Sequence, residues 1–275
     1  MAGYLAHFGL HTAPFSTSPD PRFAYATREH EIAVTKIQYA VEERQGLFLL
    51  MGEVGTGKTT LSQLMMASWR TDERMVAGHI TDPSPETPSP FLRLILAAFG
   101  RPTYHRVEDN KLALREFLVE QYRAGRTVVV MIDEAQSISP RNMDTLQALS
   151  NEQTTTAKLL QIVLLALPNF ARKLTYKPAL RSRIASGSTL DPLTLDDALG
   201  MLRHRTDVAG GDFDALFPAA LHRPIYNATQ GNPRSLCVLC DNALVNAYAR
   251  RRAAADGESL AAALADLNFK GWTSK

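Results

Sequence analysis

The sequence contains little cysteine. Among its 275 residues there are two, Cys237 and Cys240, at C-x-x-C spacing inside SLCVLCDNALV. A redox pair of this kind usually stands at a helix start beside a βαβ unit, and a zinc site needs two further ligands at matching spacing, which this sequence lacks. Residues three apart share one face of a helix, so we expect both thiols to lie in a buried core.

The sequence also lacks a long hydrophobic run. Its longest apolar segments are LFLLM at 47–51 and the segment 159–167, which Gln161 interrupts. Both are shorter than the roughly 20 residues that cross a bilayer, so no membrane helix is expected. The N-terminal MAGYLAHFGL has no basic segment followed by a longer apolar one, as a secretory signal would have. The expected location is the cytoplasm.

Charge of one sign is scarce as well. The formal net charge is +2, whereas a dedicated nucleic-acid-binding protein is usually more basic. Any contact with DNA is therefore expected to come from local patches. With 45% hydrophobic residues, the chain is long enough for one large core or for a large domain and a small one.

One segment is rich in glycine and carries a lysine, the stretch GEVGTGKTT between an apolar strand pattern and a helical pattern. Gly52, Gly57, Lys58 and Thr59 fit the spacing of a phosphate-binding loop, whose glycines let successive N–H groups point at an anion. Lys58 is expected to reach the β- and γ-phosphates, and the Thr59 hydroxyl to hold Mg²⁺. The alternative is a glycine-rich turn without a ligand. The predicted nucleotide-binding residues are Gly52, Glu53, Val54, Gly55, Thr56, Gly57, Lys58, Thr59 and Thr60.

Two carboxylates follow the apolar strand pattern TVVVMI, namely Asp133 and Glu134. Hydrolysis of a phosphoanhydride needs a metal anchor and a group that activates water. We expect Asp133 to hold Mg²⁺ and Glu134 to act as the base. An acidic turn that merely ends a strand is the alternative.

The alternation of helical and buried strand patterns predicts an α/β domain with a parallel sheet between helices, because its strands are continuously rather than alternately apolar. Strands are predicted at 47–51, 75–81, 127–132 and 159–167. Helices are predicted after Thr27 (with Ile32, Ile37, Ala40 and Val41 on the apolar side), from the phosphate loop to about Trp69, from Ser89–Pro90 to Gly100, and over about 109–124. Only helical patterns follow Leu193.

Several phrases together resemble one family. They are FGL, PF and PDPRFAY within 8–25, then IDEAQSIS, LSNEQ, LLQIVLL, PALRSRI, PLTL, VAGG and GNPR. The chain resembles AAA+ ATPases, and more narrowly the general secretion pathway A (ExeA-like) ATPases and their transposon relatives of the TnsC, TniB and IstB kind. The resemblance implies a P-loop AAA+ domain over residues 1–192, with an N-terminal segment on the adenine side. A small all-α lid domain with a C-terminal tail is expected over 193–275.

The resemblance also implies roles for two arginines. Arg183 resembles the arginine finger that one subunit offers to the γ-phosphate of its neighbour, and Arg181 is the lesser candidate. Such a finger requires a homo-oligomer, either a ring or a helical filament. Arg234 in GNPR resembles sensor 2, a lid arginine that contacts the nucleotide. The segment expected near the adenine contains Pro21, Arg22, Phe23 and Tyr25, although its aromatic residues fit a plain core equally well.

One departure from the family pattern concerns the end of the fourth strand pattern. The family usually has G-Q-P-E there, whereas this chain has Ala166, Leu167, Pro168 and Asn169. Leu167 stands where a glutamine would sense the γ-phosphate, and its side chain cannot form a hydrogen bond. Asn169 or Asn151 are the candidate replacements.

These features predict an ATP- and Mg²⁺-dependent hydrolase that assembles on double-stranded DNA as a regulator or target selector of transposition, with a transposase or target-selection protein as a possible partner. The absence of a membrane segment and a wall-binding part after the lid favours this hypothesis. The alternatives are an ATPase that energises assembly of a secretion or pilus complex, and a scaffold that hardly hydrolyses. The sequence itself does not separate ATP from GTP. Candidate DNA contacts are the loop 82–90, Lys111, Arg115, Arg203, Arg205 and Arg250–Arg252.

Overall fold

The computed structural model describes residues 2–18 and 20–269. Pro19 of the PDPRFAY phrase and residues 270–275 of the predicted tail lie outside the described residues. The strands in that part of the chain are β1 (Leu47–Gly52), β2 (Met75–Ile80), β3 (Thr127–Ile132), β4 (Leu160–Ala166) and β5 (Ile184–Leu190). The helices are α1 (Ala2–His7), α2 (Arg28–Glu42), α3 (Lys58–Thr71), α4 (Pro88–Ala98), α5 (Val107–Arg123), α6 (Pro140–Leu149), α7 (Phe170–Thr175), α8 (Pro178–Arg181), α9 (Leu195–Val208), α10 (Phe213–Leu216), α11 (Ala219–Thr229), α12 (Pro233–Ala249) and α13 (Gly257–Phe269). Short 3-10 helices cover Pro21–Phe23 and Ala135–Ser137.

The chain forms two compact units. The sheet unit holds Arg28–Val54 and Leu61–Leu190. The helical unit holds the described residues up to Thr27, the short segment Gly55–Thr60 and the described residues from Asp191 onward. The sequence-based division places the residues before Thr27 with the sheet, whereas in the structure they group with the C-terminal helices, because their apolar side chains enter the core of the helical unit.

All strands of the described sheet run parallel, in the order β2-β3-β4-β1-β5. Alternate residues of each central strand enter two separate cores, one on each face of the sheet. Helices α4, α5 and α6 cover one face, and α2 and α3 cover the other. The predicted α/β class, with a central parallel sheet flanked by helices and a helical C-terminal region, is confirmed.

Three local expectations were wrong. Strand β5 was not predicted, because its side chains alternate between exposed and half-buried, as at the edge of a sheet. Helix α4 begins at Pro88 after the N-cap Thr87, and the Ser89 hydroxyl instead donates to the His105 carbonyl. Ile32 is 42% exposed, since the apolar side of α2 turns through Ala33 instead.

The polar residue in β4 is fully accommodated. Gln161 is buried; its Oε1 accepts a hydrogen bond from the Gly46 N–H (2.8 Å), and its amide nitrogen donates to the Lys158 carbonyl (2.9 Å). The desolvation of this side chain is therefore offset by hydrogen bonds that join β4 to the start of β1.

The helical unit has a core of its own, built mainly from α9, α11, α12 and α13 with aromatic residues of the N-terminal segment. Cys237 and Cys240 lie buried in α12, as expected from their spacing, and burial raises the pKa of both thiols. In the described part of the chain, none of the helices is long and apolar enough to cross a membrane.

Candidate functional site

The phosphate loop lies between the end of β1 at Gly52 and the start of α3 at Lys58. Gly55 and Gly57 have φ angles of +84° and +97°, in the left-handed region that costs other residues about 1–2 kcal/mol. This conformation turns the backbone so that N–H groups can converge on an anion, and α3 contributes the positive end of its dipole. Lys58 is buried at the first position of the helix, and Thr56, two residues earlier in the loop, is buried as well.

Gly55 of the loop is closely packed against other residues of the helical unit. A Cβ atom added to Gly55 would lie 2.7 Å from the Cβ of Arg234 and 2.7 Å from Oδ1 of Asn232. Asn232 is the N-cap of α12, and its Oδ1 accepts the Ser235 N–H at 3.1 Å. The structure therefore places the predicted sensor 2 residue next to the phosphate loop, at the start of a helix.

The turn before Arg234 requires glycine. Gly231 has a φ of +71°, and a Cβ at this position would overlap the carbonyl oxygen of Leu193. The Leu193 N–H donates to the Gly231 carbonyl (2.9 Å), and the Tyr226 hydroxyl donates to the Leu193 carbonyl (3.2 Å). These contacts fix the position at which Arg234 leaves the turn.

The acidic pair follows β3 directly. Asp133 is 4% exposed, its N–H donates to the Ile80 carbonyl at the end of β2 (2.8 Å), and its Oδ1 accepts the Glu134 N–H (2.9 Å). Because β1 and β3 are both parallel to β4 between them, Gly52 and Asp133 stand at the same edge of the sheet. Glu134 is exposed, and its backbone adopts the left-handed conformation, with φ +51° and ψ +38°. A non-glycine residue in this region carries a cost of order 1–3 kcal/mol, a type of strain that clusters at functional sites.

Sequence reasoning missed a glutamine beside this pair. Gln136 donates its side-chain amide to the Glu134 carboxylate, and its Oε1 accepts the Leu167 N–H at 3.0 Å. The Lys173 ammonium donates to the Gln136 carbonyl at 2.5 Å. A signal for Gln136 was present in the phrase IDEAQ, as an amide two residues beyond the acidic residue at a strand end.

The two candidate replacements for a polar residue at Leu167 lie at opposite edges of the sheet. Asn169 is exposed just after the carboxyl end of β4 and does not cap α7 with its side chain. Asn151 precedes Glu152, whose carbonyl accepts the Leu159 N–H just before β4 begins. Asn151 therefore lies at the amino edge, away from Asp133, and is excluded as the sensor at the nucleotide edge.

Arg183 stands at that same amino edge. It immediately precedes β5, whose Ile184 is paired with Leu47 at the start of β1. Both Arg181 and Arg183 are exposed. Burial and the nearby Arg183 charge lower the pKa of Lys158. Arg183 is thus exposed and separated from Gly52 by the length of β1.

The N-terminal segment predicted near the adenine is held by Arg205 of α9. The guanidinium donates to the carbonyls of Pro14 (2.8 Å), Ser16 (2.6 Å) and Phe23 (3.2 Å) and stacks over the Phe23 ring at 5.1 Å. Phe23 is buried in the core of the helical unit, and Tyr25 lies against Gly200. Arg205 was named as a candidate DNA contact, and this assignment is wrong because its donors bind the N-terminal segment.

The donor set fits a magnesium-bound triphosphate. The side chains of Thr59 and Asp133 carry oxygen atoms, the kind of ligand that Mg²⁺ prefers, and Mg²⁺ is commonly held by one or two protein groups together with phosphates and water. Among the residues that the structure describes, no group of three or more His, Cys, Asp or Glu could hold a metal ion. Such a site therefore depends on oxygen atoms of the bound nucleotide.

Comparisons with known proteins agree with this geometry. Residues 41–174 match the AAA domain family. General secretion pathway protein A of Aeromonas hydrophila is 35% identical over 253 residues, which cover 90% of this chain and 45% of that protein. The ORC2 protein of Aeropyrum pernix, in its ADPNP-ADP complexes, has a TM-score of 0.66 at 18% identity over 92% of this chain and 71% of that one. The structure of Drosophila ORC bound to DNA has a TM-score of 0.69 at 17% identity, and the match covers 97% of this chain and 66% of that one.

Residues 41–174, which include strands β1–β4 and the phosphate loop, are thus identified as an AAA domain. The sequence of the chain is similar to general secretion pathway protein A, as the motif phrases indicated. The chain spans less than half the length of that relative.

Proposed function

We propose that this chain binds ATP with Mg²⁺ in the loop Gly52–Thr60 and hydrolyses it. The proposal is carried by two observations: the pair of left-handed glycines in the loop between β1 and α3, and the acidic pair Asp133 and Glu134, which follows β3 at the sheet edge where β1 ends. Left-handed glycines just before a helix N-terminus form a backbone arrangement that binds anions, which favours this proposal over a glycine-rich turn without a ligand.

Each side chain has a defined task in this mechanism. The backbone N–H groups of the loop and Lys58 bind the phosphates. Thr59 and Asp133 would hold Mg²⁺, which would supply positive charge beside the phosphates. Glu134 accepts a proton from the attacking water. Arg234 contacts the nucleotide from the start of α12. Arg183 of a neighbouring subunit stabilises charge on the transferring phosphoryl group, so full activity requires a homo-oligomer.

The oligomer, a ring or a helical filament, encloses double-stranded DNA and acts as a regulator of transposition. The structural neighbour from Drosophila is bound to DNA, which supports a DNA-related role through likeness of fold. Lys111 is exposed on α5, and Arg250–Arg252 are exposed after α12. Repetition of such weak contacts around an assembly can make up for the low net charge of one subunit.

ATP turnover with and without double-stranded DNA tests this function. It is measured at two salt concentrations, about 50 and about 200 mM, because phosphate contacts release counterions. Stimulation by DNA that weakens at higher salt is the expected result. If DNA does not change turnover at either salt concentration, the DNA-bound role is excluded and the proposed ATPase activity still stands.

A second candidate is an ATPase that energises assembly of a secretion or pilus complex without nucleic acid. The 35% identity to general secretion pathway protein A favours it. Turnover that DNA does not change, but that extracted components of a secretion complex stimulate, would select this candidate.

A further inference from the structure

The side chain of Gln136 connects two strand ends of the sheet unit. Its Oε1 accepts the backbone N–H of Leu167, directly after β4, and its amide nitrogen donates to the Glu134 carboxylate, directly after β3. The orientation of the amide follows from chemistry, because a backbone N–H can only donate and an ionised carboxylate can only accept. A flipped amide would lose both hydrogen bonds.

The backbone of Gln136 is fixed independently of this side chain. It lies in the 3-10 helix Ala135–Ser137, in which the Ser137 N–H donates to the Glu134 carbonyl at 2.8 Å. From α7, the Lys173 ammonium donates to the Gln136 carbonyl at 2.5 Å. Loss of the Gln136 amide would therefore remove the link to Glu134 while these backbone contacts remain.

Glu134 needs such a link. Its side chain is exposed, and an exposed carboxylate can occupy several rotamers. A general base must lie within about 2.6–3.2 Å of the proton that it accepts, so rotamer freedom lowers the fraction of productive encounters. The side chain of Leu167, after the neighbouring strand, cannot form a hydrogen bond. The link from this strand end to the Glu134 carboxylate therefore runs through the Leu167 backbone N–H and the Gln136 amide.

We propose that Gln136 is a positioning residue for hydrolysis, whose amide holds the Glu134 carboxylate in register with the ends of β3 and β4. This inference rests on the proposed function, since it assigns a role in the same site. Gln136 acts through Glu134 and is not assigned a contact with the nucleotide.

The test compares steady-state ATP turnover of the full chain with its Gln136→Met variant. Methionine is similar in length and flexibility but forms neither hydrogen bond. We expect kcat to fall by about tenfold to a hundredfold, in the range of a lost positioning contact, with KM for ATP and the Kd for ADP within about twofold of wild type. Gln38→Met on the exposed side of α2 is the matched control and should match wild type.

A second variant separates the link to Glu134 from packing. Gln136→Glu keeps an acceptor for the Leu167 N–H but places a carboxylate beside Glu134, so its kcat should be at least as low as that of Gln136→Met. In a Glu134→Gln background, adding Gln136→Met should cause no further loss, because the two residues act as one unit.

Wild-type kcat in Gln136→Met, or an equal loss of kcat and of ADP affinity together with a lowered Tm, would overturn the proposal. The first result means that the amide is not used, and the second that the residue is structural. Failure of the proposed function looks different, since wild type itself would then show no turnover, or Glu134→Gln would be fully active. Either of these results removes the role of Gln136 as well.

Discussion

Among single residues, Gly55 must be a glycine for two reasons, its backbone conformation and the lack of space for a side chain. Its φ of +84° favours glycine, and its missing Cβ leaves room for Asn232 and Arg234. We expect Gly55→Ala to weaken ATP binding by more than tenfold, equivalent to about 1.4 kcal/mol, because the loop and the start of α12 must shift apart. The measurement is a calorimetric titration with ATP and Mg²⁺.

Gly100 provides the matched control. It also has a positive φ, +65°, but nothing lies within 4 Å of the position of an added Cβ. Gly100→Ala should therefore lose about 1 kcal/mol of stability from backbone strain and keep its ATP affinity. If both variants bind ATP like wild type, crowding at Gly55 has no bearing on the nucleotide.

Among the elements, the N-terminal segment depends on one side chain of α9. Arg205→Ala should lower the free energy of unfolding by about 2–3 kcal/mol, because three backbone carbonyls lose a charged donor. It should also expose the segment before Thr27 to limited proteolysis. Arg205→Lys should not restore stability, since an ammonium cannot reproduce the planar fork.

Arg203 on the same helix is the control for that variant. It forms an exposed ion pair with Asp214 at 2.8 Å, a type worth about 0–1 kcal/mol. If Arg203→Ala lowers the free energy of unfolding as much as Arg205→Ala does, the effect comes from a change in the helix and not from the hydrogen bonds of Arg205 to the N-terminal segment.

The contact between α1 and α12 carries a pH dependence. Burial raises the pKa of Asp241, whose Oδ1 accepts the Tyr4 hydroxyl at 3.0 Å. The folded state then binds more protons than the unfolded state, so this group's contribution to stability falls as pH rises from about 4 through the raised pKa. Asp241→Asn should gain stability relative to wild type over that interval. The measurement is urea denaturation of both proteins at several pH values. A difference in the free energy of unfolding between Asp241→Asn and wild type that does not change with pH would contradict this prediction.

The central strands could be predicted from sequence because their signal is local. β1, β3 and β4 are continuous apolar segments, and burial on both faces explains that pattern. β5 could not be predicted, since Gly187 and its neighbouring serines give no strand signal. Gly187 is explained by close approach, as an added Cβ would lie 2.8 Å from the Leu49 carbonyl oxygen.

In the candidate site too, some residues have a local sequence signal and others do not. The phosphate loop and the acidic pair are proposed from the spacing of residues in two short stretches, which the sequence alone contains. Gln136 and Arg205 were missed or misassigned because their roles depend on partners brought together by the fold, Leu167 for the first and the N-terminal carbonyls for the second. Single-sequence patterns carry no information on such pairings.

At the scale of the whole molecule, we predict that the site is shared between subunits. Glu134→Gln and Arg183→Ala should each lose turnover by about a thousandfold and keep the Kd for ADP of the monomer. A mixture of the two should regain activity, because an intact Glu134 in one subunit can meet an intact Arg183 from the other. Arg181→Ala is the control and should stay active. A mixture as inactive as its components would show that Arg183 does not act across an interface.

The most direct test of the account is the affinity of Lys58→Ala for ATP in the presence of Mg²⁺. Because Lys58 is buried at the start of α3, where it is assigned to the phosphates, the predicted result is at least a tenfold rise in Kd, or about 1.4 kcal/mol, with Tm unchanged in the absence of nucleotide. An unchanged Kd would contradict the claim that the loop Gly52–Thr60 binds a triphosphate.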